Sequence, residues 1–108
     1  MIKVTIKRDD QQLIHSFTIT GHANFAKKGA DIVCAGVSAV SFGAVNAVIS
    51  LCNVTPDIEQ GADGFLRCSV PSDLDESTFE KVQLLLEGMV VSLQTIERDY
   101  GNYITISN

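Results

Sequence analysis

The sequence predicts an α+β domain: a mostly antiparallel sheet with two helices, in the order ββαββαβ. Three observations carry that prediction. Apolar and polar residues alternate through residues 2–19, an uncharged stretch of helical periodicity runs from Ile32 to Val54, and a second apolar stripe runs from Phe79 to Tyr100. With 108 residues, 45% hydrophobic and 19% charged, the chain fits one domain, residues 1–108, and has no room for a second core.

The opening places Ile2, Val4 and Ile6 on one face of a strand, followed by a turn at Asp9-Asp10-Gln11. Leu13, His15, Phe17 and Ile19 continue with a period of two, which predicts an antiparallel hairpin with one buried face. Gly21 ends the second strand, and Asn24 to Ala30 form a polar loop containing two lysines and Gly29. The uncharged stretch that follows is long enough to span a bilayer. Asn46, Asn53 and three serines argue against that, and Val33, Val37, Val40, Ala44, Val48 and Leu51 recur at the spacing of a core helix. A buried central helix is therefore expected, with no membrane partner.

Pro56 breaks the chain after this helix. Asp57 to Gln60, the turn Gly61-Ala62-Asp63-Gly64, and Phe65 to Val70 predict a second hairpin. Ser72 or Asp73 then caps a second helix, whose apolar stripe is Phe79, Val82, Leu86, Met89, Leu93, Ile96 and Tyr100. Part of that stripe is a candidate dimer surface, because so small a core need not consume all of it. Gly101 ends the helix, and Tyr103, Ile104 and Ile106 make a last strand.

Eight Lys and Arg against thirteen Asp and Glu give a net charge of −5. An acidic surface repels phosphate backbones, so no direct nucleic-acid partner is expected, and the basic pairs Lys7-Arg8 and Lys27-Lys28 lack interleaved aromatics. A basic protein or peptide suits it better. Cys34, Cys52 and Cys68 cannot all pair within the chain, and MIKVTIKRDD does not read as a signal peptide. Reduced thiols in the cytoplasm are the expectation. The cysteines and histidines lack metal-ligand spacing, so no metal and no cofactor is expected.

Chemistry concentrates in Gly21-His22-Ala23 and Gly29-Ala30-Asp31-Ile32-Val33-Cys34. His22 follows a strand end, and Cys34 falls in the first turn of the central helix, where unpaired amides and the helix dipole favour the thiolate. A neighbouring imidazole can take the thiol proton and return it to a leaving amine. The first-turn amides of Cys34 and Ala35 are candidate oxyanion donors. Asp31 has two competing readings, an orienting partner for His22 or an N-cap that occupies the Cys34 amide. Gly21, Ala35 and Ser38 are candidate lining residues. Asn24, Phe25, Lys27, Lys28 and Gly29 form a candidate gating loop that closes over a bound peptide. Cys52, Cys68 and His15 read as structural.

Through GHANFAKKGADIVCAGVSAVSFGAVNAV the chain resembles the ribosomal-processing cysteine protease family, Prp. The GHA element, the loop glycine and the D-x-x-C-A-x-x-S segment carry the likeness, which extends over essentially the whole chain. It implies that His22 and Cys34 are a catalytic dyad on a homodimer of α+β subunits in the bacterial cytoplasm. It further implies a cysteine endopeptidase whose substrate is large-subunit ribosomal protein twenty-seven, cut after paired aromatic residues to remove an N-terminal extension. Asn24-Phe25 and Lys27-Lys28 depart from the acidic or tyrosine-containing loops common in the family, and Gly36 stands where alanine is frequent. Two other readings remain open at this level: a non-catalytic, ribosome-associated binding module, and a thiol redox protein or acyl hydrolase.

Overall fold

A computed structural model describes residues 1–108. The elements follow the expected order: β1 (Ile2–Arg8), β2 (Ile14–Thr20), α1 (Ile32–Cys52), β3 (Asp57–Gln60), β4 (Leu66–Ser69), α2 (Glu76–Tyr100) and β5 (Ile104–Ser107). The strands form one sheet in the order β3-β4-β2-β1-β5. All its neighbours are antiparallel except β1 and β5, which run parallel with Ile2 opposite Ile104. The inward side chains of β1, β2, β4 and β5 meet α1 and α2 in a single core that includes Phe17, Leu66, Leu86, Leu93 and Ile104. On β1 the alternate residues Lys3, Thr5 and Lys7 are exposed.

The expected alternation on β2 fails at its start. Lys7 pairs with Ser16 but Arg8 pairs with Ile14, so His15 is an extra residue in that strand. Such a bulge reverses the inward and outward assignment on one side of it. Ile14, not Leu13, is therefore buried, and His15 is exposed. The buried side chain of Gln83 on α2 completes the bulge. Its Nε2 donates to the Ile14 carbonyl at 2.7 Å, and its Oε1 accepts the Ile14 N–H at 2.8 Å. The carboxamide thus stands in for a neighbouring strand.

α1 buries Val33, Val37, Ser41, Val45 and Val48, while Leu51, expected in the core, is 71% exposed. Asn53 ends the helix in left-handed backbone, φ 54°. α2 starts later than expected. Asp75, rather than Ser72 or Asp73, is its cap, with the carboxylate accepting the Thr78 N–H at 2.7 Å. The core consumes Val82, Leu86, Met89 and Leu93 of the α2 stripe, which removes them as a dimer surface, and the exposed apolar residues of α2 are Leu84 and Val91. Arg8 ties β1 to this helix through a two-pronged contact with Glu87, both N–H···O distances 2.8 Å.

Candidate active site

β2 delivers the histidine and α1 the cysteine. Gly21 leaves β2 in left-handed backbone, φ 86°, which turns the chain at His22. Ala23 is buried behind it, and its N–H donates to Cys34 Sγ at 3.3 Å. His22 and Cys34 both line a cleft of about 550 Å³, together with Asn24, Ala26, Lys28, Gly29, Asp31, Ala35 and Ser38. A smaller cavity of about 130 Å³ also includes His22, Cys34 and Ser38, and its other walls are largely apolar, among them Ile2, Ile19, Val37, Phe42 and Leu66. The pair therefore stands where the larger cleft meets a smaller recess.

Asp31 resolves into a cap and a loop anchor. Its Oδ1 accepts the N–H groups of Val33 and Cys34, both at 3.0 Å, and its Oδ2 accepts those of Phe25 at 2.9 Å and Ala26 at 3.3 Å. Burial alone would push the carboxyl up, but the amides of Cys34, Ala26, Phe25 and Val33 together outweigh it and hold it below its ordinary value. With both oxygens committed to main-chain donors, the N-cap reading describes Asp31 and the His22-orienting one does not.

The same bonds correct the expected oxyanion donors. The Cys34 N–H goes to Asp31 Oδ1 and the Ala35 N–H to the Asp31 carbonyl at 3.1 Å, so neither faces the cleft unpaired. A capping carboxylate satisfies the orphan amides that a helix start otherwise offers to a ligand.

The loop of residues 24–30 is pinned at its beginning. Besides the Asp31 bonds, the Phe25 ring meets the rings of Tyr100 and Tyr103 edge-on, at centroid distances of 5.7 and 5.0 Å. Asn24 and Gly29 bracket the loop in left-handed backbone, φ 56° and 89°. Of its candidate residues, Asn24, Lys28 and Gly29 line the cleft, whereas Phe25 packs on the tyrosines; Gly21 lines only the smaller recess. The tyrosine contact lacked a local signal, since Tyr100 and Tyr103 lie far along the chain from Phe25.

Neither of the other cysteines lines the cleft. Burial, with a further push from Asp57, raises the Cys68 thiol to about 11, which keeps it protonated and unreactive. Cys52 sits half-buried at the end of α1.

The sequence profile described as cysteine protease Prp matches residues 1–105. The chain is 52% identical over 108 residues to the ribosomal processing cysteine protease Prp of Bacillus subtilis (strain 168), covering 99% of this chain and 96% of that protein. It superposes on the S. aureus ribosomal processing protease Prp in complex with a covalently linked product peptide, with TM-score 0.87, 42% identity, and coverage of 99% of this chain and 98% of that one. Against the same S. aureus protease in complex with a substrate peptide, the TM-score is 0.83 at 38% identity, again over 99% and 98%. A cleft that opens onto a thiol and an imidazole, on a fold shared over the full chain with these enzymes, places the protein in the Prp family of cysteine proteases.

Proposed function

We propose that the protein is an endopeptidase in which Cys34 is the nucleophile and His22 its acid and base. The observation that carries this is the shared wall: both side chains line one cleft, and the Ala23 N–H holds Sγ beside the strand end that bears His22. His22 takes the thiol proton, and Sγ attacks the carbonyl carbon of the scissile bond. The tetrahedral intermediate collapses to a thioester as His22 gives that proton to the departing amine. Water, deprotonated by His22, then hydrolyses the thioester and restores the thiol.

The substrate is the N-terminal extension of large-subunit ribosomal protein twenty-seven, cut after paired aromatic residues. Support comes from the sequence resemblance, from the ribosomal processing role in the names of the relatives, and from the apolar recess beside Cys34, which suits a large apolar side chain. The loop of residues 24–30 closes over the peptide, moving about Gly29 while Phe25 stays clasped.

The enzyme works in the cytoplasm as a homodimer. α1 is long and apolar enough to cross a membrane by length and composition, but one of its faces enters the core and its ends are capped by Asp31 and Asn53. Phe42 and Ile49, seven residues apart on one face of it, stay exposed, an apolar surface suited to a second copy. Sedimentation at micromolar concentration should give a dimer, and a monomer would remove this part of the reading.

The decisive experiment is cleavage of a peptide spanning the extension junction, followed by mass spectrometry, with wild type and Cys34→Ala. A single cut by wild type alone is expected. Equal cutting by both proteins would remove Cys34 as nucleophile, and no cut by either would return weight to a binding module.

A further inference from the structure

The turn between β3 and β4 lies at the surface, and its Gly64 reaches the wall of the smaller recess beside His22 and Cys34. Asp63 and Gly64 are both left-handed, φ 59° and 69°, a conformation that Asp and Gly supply in tight turns. The Phe65 N–H closes the turn on the Ala62 carbonyl at 3.3 Å. A turn of this kind ordinarily leaves its remaining carbonyls to water. Here the Asp63 carbonyl accepts the N–H of Gly21 at 2.8 Å, the residue immediately before His22.

Gly64 brings the turn closer still. A Cβ placed on it would lie 2.5 Å from the Gly21 carbonyl oxygen and 3.7 Å from His22 Cε1. On the other side, a Cβ on Gly21 would run into the Met1 carbonyl oxygen. The main chain at Gly21 is thus held between Met1 and the hairpin tip, with the imidazole edge lying over Gly64. Only the absence of both Cβ atoms permits this stacking.

We propose that the Asp63-Gly64 turn is the seat of His22, so that Asp63, through its carbonyl, and Gly64, through its bare Cα, are positioning residues for peptide cleavage. The inference rests on the His22–Cys34 reading. The turn fixes the peptide unit from which the imidazole projects, and the ring finds one edge already occupied. A displacement of about 1 Å at a reacting group can cost roughly 10²-fold in rate, so a seat of this kind acts on turnover.

The test compares wild type with Gly64→Ala, Gly64→Asn and Gly61→Ala. Asparagine tolerates left-handed backbone, so Gly64→Asn keeps the turn yet puts a Cβ against Gly21. Gly61→Ala is the control from the same turn, because its Cβ would meet only the Phe65 side chain, at 3.5 Å. The chain has two histidines, and exposed His15 serves as an internal reference for His22 in proton NMR. In wild type, a cross-relaxation signal between the Cε1 proton of His22 and the Cα protons of Gly64 is expected; its absence overturns the proposal whatever the variants do. In Gly64→Asn the His22 signal should move while His15 stays, and kcat should fall roughly 10²-fold at saturating peptide. A folded Gly64→Asn with an unmoved His22 signal and wild-type kcat would overturn the seat. Cleavage retained by His22→Ala would sink the dyad and with it the catalytic meaning of the seat, and the wild-type signal separates that failure from a misplaced turn.

Discussion

The backbone N–H of Ala23 donates to Cys34 Sγ at 3.3 Å, so the residue that follows His22 grips the thiol directly. Strand end and helix start cannot drift apart without breaking that contact. His22 and Cys34 belong to different elements, yet one buried main-chain residue joins them.

Replacing either reactive group should silence cleavage without unfolding the chain. Cys34→Ala should leave no detectable cut, and His22→Ala should lower kcat by roughly 10²–10⁴-fold, the range of a lost general acid and base. Neither side chain fills the deep core, so thermal melts should stay close to wild type. A cut of wild-type rate in either variant rejects the dyad.

Asp31→Asn separates a cap from a triad member. An orienting carboxylate lost to asparagine costs roughly 10⁴-fold in kcat, and a far smaller loss is expected here because both Asp31 oxygens serve amides. The pH dependence follows from the depressed carboxyl. Its ionised form stabilises the fold fully above the ordinary value of 3.8, and that contribution is lost as pH falls through the lower folded-state value. Melting curves across acid pH should therefore show a shallower loss in Asp31→Asn than in wild type. Parallel acid limbs would contradict the cap.

Gln83→Leu should destabilise the protein more than its modest change of shape suggests. It strands the N–H and carbonyl of Ile14 in the core, and a buried group left without its partner costs roughly 1–3 kcal/mol. Urea unfolding gives the number. A loss of less than about 1 kcal/mol would mean that the bulge finds other partners.

Phe25→Ala should loosen the loop selectively. Each edge-on aromatic pair contributes about 0.5–1.5 kcal/mol, and Phe25 makes two. Hydrogen exchange at the amides of Phe25 and Ala26 should quicken while the middle of α2 keeps its protection, and KM for the peptide should rise. Unchanged exchange in the loop would show that Asp31 alone holds it.

Much of the architecture was legible because its signals are local. Both helices, both hairpins and the last strand follow from periodicity and turn residues, and His22 and Cys34 fall beside predicted element ends. The failures share a different cause. At residues 13 and 14 two apolar side chains adjoin, so alternation alone could not choose between them, and the choice came from Gln83, 69 residues away. Ser72, Asp73 and Asp75 can all cap a helix, but residues 72 and 73 form a turn ahead of it, and the carboxylate that reaches a first-turn amide is that of Asp75. The Cys34 and Ala35 amides seemed free because a helix start has unpaired donors, but which donors a nearby carboxylate occupies depends on the path of the loop.

The parallel pairing of β1 with β5 has a consequence for how the enzyme comes into being. β1 lies inside the sheet, and its second neighbour is the last strand of the chain. The Tyr103 carbonyl accepts the N–H of Ile2, and Tyr100 and Tyr103 hold Phe25 at the start of the loop. During synthesis the amino-terminal strands leave the ribosome first and must wait, unclosed, until residues 100–107 emerge behind them. A nascent chain therefore carries His22 and Cys34 long before it has the strand that completes the sheet around them.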